Sequence, residues 1–130
     1  MNPGDALPPQ TYTVTRADLV RYAEASGDHN PIHQDEEVAR SVGLPGVIAH
    51  GMFTMALVAR ALDAWAPGAD VVQLGAKFTN PVVVPADDAG AEVVVSGTVK
   101  DVSDGLATLA LEVTAGGRKV LGMPRAVVRA

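Results

Sequence analysis

The chain has 130 residues, which fits one domain built round one core, and 48% of them are apolar. A formal net charge of −5 lacks the basic stripe of a general nucleic-acid binder, and the absence of cysteine excludes disulfides, thiolate catalysis and cysteine-ligated zinc. The aromatic residues are few (Tyr12, Tyr22, Phe53, Trp65 and Phe78), so valine, alanine and leucine have to fill the interior.

The opening MNPGDALPPQ has neither the charged start nor the apolar stretch of a secretory signal, so a soluble cytoplasmic protein is the default expectation. Its prolines and glycine predict an irregular lead-in over residues 1–9. TYTVT (11–15) alternates as a short strand does. Thr15 has the chemistry of an N-cap, and Asp18 completes a weaker form of the capping box. The helix they open, RADLVRYAEAS, carries Leu19, Tyr22 and Ala23 on one face and ends before Gly27. Asn30-Pro31 stops any helix, because proline removes a donor and pushes its predecessor out of the α region. A second short helix is predicted over 35–42, with Gly43 as its C′ residue.

IAHGMFTMALVARALDAW (48–65) is apolar on nearly every side until Arg60 and Asp63. It is too short and too interrupted to span a bilayer, so it is predicted to be a buried helix that something must wrap. The second half supplies that wrapping. VVQLGAKFT, AEVVVSGTVKDV, LATLALEVTA and KVLGMPRAVVRA read as strands. In the second, Val93, Val95, Gly97 and Val99 alternate with Glu92, Val94, Ser96, Thr98 and Lys100; in the third, Ala107, Leu109, Leu111 and Val113 oppose Thr108, Ala110 and Glu112. Asp104-Gly105 and Gly116-Gly117 are two-residue hairpin signals, giving an antiparallel meander. Pro124 requires an edge position or a bulge in the last strand. One helix against an antiparallel sheet is an α+β arrangement.

The chemistry concentrates in SGDHNPIHQD (26–35). His29 and His33 stand four apart, a zinc-helix spacing, yet Pro31 prevents a shared helical face, and no metal is expected. A blander reading makes Asp28 and Asn30 turn residues only. Against it, Asp28 and His33 on one proline-stiffened turn can flank a single small substrate or water, one taking a proton while the other gives it. His50-Gly51 raises a parallel question. Gly51 begins the buried helix, so its N–H lacks an intrahelical partner, and a ligand oxygen or tight helix–sheet packing explains the glycine equally well. His50 reads as a partly buried, hydrogen-bonded residue rather than a catalyst.

Tyr22 through Ala39, YAEASGDHNPIHQDEEVA, resembles the signature of (R)-specific enoyl-thioester hydratases. The matching positions are Tyr22, Ser26, Gly27, Asp28, Asn30, Pro31, Ile32, His33 and Ala39; Ala25 stands where a branched aliphatic or glycine is usual. AHGM (49–52) matches the second landmark of the MaoC-like dehydratases and hydratases. The resemblance runs from Thr15 to the final strand. TRADLVRYAEASGDHNPIH is most similar to actinobacterial β subunits of (3R)-hydroxyacyl-carrier-protein dehydratases.

That resemblance implies a hot-dog fold, a sheet wrapped round the long helix, over residues 1–130. It implies dimers joined edge to edge, with the same chain or a related hot-dog subunit, and no nucleic-acid or membrane partner. Asp28 and His33 would be the acid–base pair. On the substrate-binding side, the Gly51 N–H would bind the thioester oxygen and Asn30 would order the loop. Met52, Met55 and Leu57 are candidates to line the acyl pocket. A serine often found on the central helix is unmatched, Ala59 standing at the comparable position. No cofactor is expected beyond the coenzyme A or acyl-carrier-protein thioester that is the substrate; Lys77, Arg118 and Lys119 are candidates for meeting the carrier. The implied reaction is reversible hydration of trans-2-enoyl thioesters. Competing readings are a non-catalytic acyl-thioester-binding subunit and thioester hydrolysis, which also occurs on this fold.

Overall fold

Two glycine-containing turns set the register of the sheet in the computed structural model, which describes residues 1–129. Asp104 and Gly105 have φ of 54° and 76°, and Gly116 and Gly117 have φ of 60° and 77°. Positive φ at both central residues is the hairpin turn whose twist matches that of the strands it joins. The first turn joins β3 (Ala91–Ser103) to β4 (Leu106–Ala115); the second joins β4 to the two-residue β5 (Arg118–Lys119). After Val120 the chain continues as β6 (Leu121–Arg129). With β1 (Ala6–Val14) and β2 (Asp70–Phe78), these form an antiparallel sheet of order β1-β3-β4-β6-β2, with β5 paired to β4.

Pro124 is therefore on an inner strand, and the sheet accommodates it by a bulge. The register between β2 and β6 shifts from Gly75↔Arg125 to Lys77↔Gly122, and Met123 takes a φ of 46°. The expected irregular start is corrected: β1 begins at Ala6 and runs through Pro8 and Pro9. It is an edge strand whose register shifts between Leu7 and Gln10, so the missing proline donors break no ladder.

Thr15 caps α1 (Arg16–Ser26) with the reciprocal bonds of a capping box, and Gly27 ends it in the left-handed region at φ 78°. The carboxyl of Asp18 is held below the usual range by the Thr15 backbone N–H it accepts. A 3₁₀ turn (Pro31–His33) and α2 (Glu36–Ser41) follow, then α3 (Gly51–Trp65), which starts three residues later than the apolar run. Arg16 fastens these pieces: its Nε donates to Val84 O at 2.6 Å and its guanidinium pairs with Glu36.

The core lies between one face of α3 and the sheet. Leu57, Val58, Ala61 and Leu62 are buried with Val93, Val95, Val99, Leu109 and Val113 in one cluster. Each such valine or leucine side chain contributes about 1.5–3 kcal/mol on leaving water. The expectation that α3 is wrapped all round does not hold within the chain: Ala56, Ala59, Arg60, Asp63 and Ala64 are exposed. Alanine made the segment read as apolar on every side, yet its methyl group is small enough to face water at little cost. Among the described residues, no helix is long and apolar enough to cross a membrane.

Candidate functional site

Residues 26–33 form a loop knitted at steps of two. Ser26 Oγ accepts from Asp28 N, Asp28 Oδ1 accepts from Asn30 N, and Asn30 Oδ1 accepts from Ile32 N, each at 3.2 Å. This is why serine, aspartate and asparagine alternate: each short side chain satisfies an N–H that no helix or strand claims. Pro31 then opens the 3₁₀ turn, and His33 N donates to Asn30 O at 3.1 Å.

The loop is pinned to the segment that leads into α3. His33 Nδ1 lies 2.7 Å from Ile48 O, and His50 Nε2 lies 3.1 Å from Asp28 O. A carbonyl oxygen only accepts, so each of those ring nitrogens carries the proton. The lone pair of neutral His33 is thus on Nε2, and that of neutral His50 on Nδ1. The two rings stack, with centroids 3.8 Å apart and planes 23° from parallel. Tyr22 packs on the other ring, 4.7 Å from His50. His33 is 7% exposed and His50 1%, whereas the Asp28 side chain reaches solvent. Burial holds the His50 imidazole below the ordinary histidine value; the bond to Asp28 opposes the shift and the neighbouring His33 adds to it.

Asp28, His33 and His50 each place a ligand-type atom within 4.8 Å of the others. His29, the residue that suggested zinc, is outside this group. The stacked rings fit a metal poorly. A cation must lie in the plane of each imidazole about 2.0–2.1 Å from its nitrogen, and two planes only 23° from parallel do not meet at that distance.

His50 caps α3 without a side-chain hydrogen bond, so the first N–H groups of the helix, beginning with Gly51, stay open at its positive end. Gly51 has a packing role as well. A Cβ built there would lie 2.8 Å from Cε1 and Cζ of Phe78, whose ring covers the glycine while the residue stays 62% exposed. Both explanations of Gly51 therefore have a structural counterpart.

These groups surround a cavity of about 530 Å³ lined by Tyr22, Asp28, His33, His50, Gly51 and Phe78, among others. Met52 lines it too, but Met55 and Leu57 do not: Leu57 is buried in the core, 4% exposed, and Met55 packs against that core. Helical rotation turns these two toward the sheet. Asn30 is exposed and does not line the cavity; it orders the loop from outside. Ala59 lies on the far, exposed side of α3, in a shallow groove beside Arg60, whose guanidinium stands 4.6 Å from the ring centroid of Tyr12. Sequence reasoning missed Phe78 and the link from His50 to Asp28. The basic candidates separate into Lys77 on β2 and Arg118 with Lys119 on β5. Arg118 Nη2 donates to Asn80 Oδ1 at 3.2 Å, and Asn80, a cavity-lining residue, donates to Lys119 O at 2.8 Å.

Residues 2–116 match the MaoC-like domain. The chain belongs to the MaoC-like domain family. Among curated proteins, it is 45% identical over 82 residues to 3-hydroxyacyl-thioester dehydratase X of Mycobacterium tuberculosis, a match covering 62% of this chain and 29% of that one. A solved MaoC-like dehydratase superposes with a TM-score of 0.93 at 39% identity, over 99% of this chain and 40% of the other. The (R)-hydratase from A. caviae involved in PHA biosynthesis superposes with a TM-score of 0.86 at 25% identity, over 99% and 96%. The MaoC-like chain thus spans less than a third of its mycobacterial relative and nearly all of the hydratase. Its antiparallel sheet against a long helix is the hot-dog fold of these neighbours.

Proposed function

We propose that this MaoC-like chain adds water across trans-2-enoyl thioesters and, in reverse, dehydrates (3R)-hydroxyacyl thioesters in fatty-acid metabolism. One observation carries the reading: the Asp28 and His33 side chains come within 4.8 Å of each other on the wall of a cavity that also meets the open start of α3 at Gly51. Hydration needs three things at one place: a group to take a proton from water, a group to deliver a proton to C2, and a donor for the charge that builds on the thioester oxygen. Asp28 and His33 hold the water between them and share the two proton transfers, so both additions reach one face of the double bond. The oxygen of water bonds to C3, the C2–C3 π pair takes the proton at C2, and the thioester oxygen carries the negative charge between these events. The Gly51 N–H at the helix start receives that oxygen, a contact whose loss costs about 10²–10³ in rate in comparable sites.

The carrier is coenzyme A or an acyl carrier protein, and Arg118, which donates to the cavity-lining Asn80, is the cation assigned to meet its phosphate. No further cofactor enters the reaction. The chain works as a homodimer or beside a related hot-dog subunit, and the native mass of the chain expressed alone distinguishes the two. The deciding experiment mixes purified protein with crotonyl-CoA. Loss of the conjugated absorbance without free thiol supports hydration, release of thiol means hydrolysis, and no change in a folded dimer refutes catalysis by this chain.

A further inference from the structure

We propose that His50 is a positioning residue whose Nε2–H holds Asp28 opposite His33, so that the acid–base pair is assembled on the three residues preceding α3. The inference rests on the hydratase reading for its consequence in catalysis but not for its geometry. Every other hydrogen bond made by residues 26–30 is local, reaching at most four residues along the chain. The bond from His50 Nε2 to Asp28 O, 3.1 Å long, is the one that ties this stretch to a distant element among the described residues. His33 is anchored two residues earlier, by Nδ1–H to Ile48 O. Both ends of the stiff turn that carries the two reacting groups are therefore tied to the short stretch Ile48–His50, which itself joins Val82 through Ala49 N at 2.9 Å.

The other ring nitrogen supports the assignment. His50 Nδ1 is buried and has no hydrogen-bond partner, an arrangement that disfavours the folded state. A phenylalanine would fill the same space, stack on His33 and leave no orphaned atom. What the imidazole adds is the single N–H directed at Asp28. Because that bond runs to the backbone, it steers the carboxylate through the loop without occupying either carboxylate oxygen; Oδ1 accepts from Asn30 N and Oδ2 is left for substrate.

Two measurements test this. In imidazole ¹⁵N spectra of the wild-type protein near neutral pH, His50 is expected as the neutral Nε2–H tautomer and His33 with a proton on Nδ1. A neutral His50 carrying its proton on Nδ1 overturns the tether whether or not the protein turns over crotonyl-CoA. If the wild type does hydrate it, His50→Phe is expected to lose about 100-fold in kcat with KM little changed, the scale of a small misplacement of reacting groups. His50→Gln, which offers an N–H at similar reach, should recover at least a tenth of wild-type kcat. Equal losses in the two folded variants, or a loss confined to KM, would reject the positioning role. An inactive wild type with the expected tautomers would count against the proposed reaction and leave the tether standing.

Discussion

Replacing Gly51 with alanine sets stability against chemistry at a single position. The new Cβ would stand 2.8 Å from the Phe78 ring, where ordinary contact begins at 3.4 Å, so the ring has to retreat by at least 3.4 − 2.8 = 0.6 Å. Phe78 is 62% exposed and can swing outward, for about 0.5–1.5 kcal/mol of off-rotamer strain. Gly51 does not use a positive φ, so alanine is compatible with its backbone and recovers about 0.4–1 kcal/mol by restricting the unfolded chain. The two effects nearly offset, and the melting temperature should stay within about 5 °C of wild type. Catalysis has no such offset. The methyl group and displaced ring crowd the approach to the amide, and kcat for crotonyl-CoA hydration should fall by about 10²–10³, as when an oxyanion donor is lost. Wild-type kcat in the folded variant would refute the placement of the thioester oxygen at Gly51. A much larger fall in melting temperature would refute the packing estimate.

Asp28→Asn keeps an oxygen for Asn30 N but removes the carboxylate; it should cost about 10²–10⁴ in hydration rate at nearly unchanged stability, read from progress curves beside thermal melts. His33→Ala should abolish hydration to a similar degree and also destabilise by about 1–3 kcal/mol in urea titrations, because Ile48 O loses its donor. The folded-state pKa of His50 lies below its unfolded value of 6.5. The unfolded chain therefore binds the extra proton first, and this histidine's contribution to stability, complete above that value, should decline as pH falls below it. Melts of wild type and His50→Gln from pH 7.5 to 5 read that contribution as the part of the slope that only the wild type shows. Leu62→Ala, at a site 1% exposed, should cost about 2–5 kcal/mol with the Asp28–His33 loop unaltered.

Local rules made much of this molecule legible. The box at Thr15, the stop at Gly27, both glycine hairpins and the bulge at Pro124 depend on a few adjacent residues, and each forms where the sequence places it. Asp28 and His33 were legible as a pair for the same reason, since one stiff turn carries both. What escaped depends on distance along the chain. Pro8 and Pro9 read as irregular until the fold makes β1 an edge. Met55 and Leu57 share an apolar helix with Met52, and only the position of the sheet decides which of them sees the cavity. His50 reaches Asp28 across 22 residues, and Phe78 comes from another strand to cover Gly51; no local pattern encodes either meeting.

The two ends of the sheet are not alike. Along β1, prolines at 8 and 9 remove two donors and blunt the outer margin, whereas β2 offers Val71 and Val72 to water and contains no proline. A molecule with one adhesive margin and one guarded margin joins a neighbour once and then has nothing left to offer a third. Strand addition to such a sheet would stop at two copies, and a valine-rich chain would be kept from building fibres.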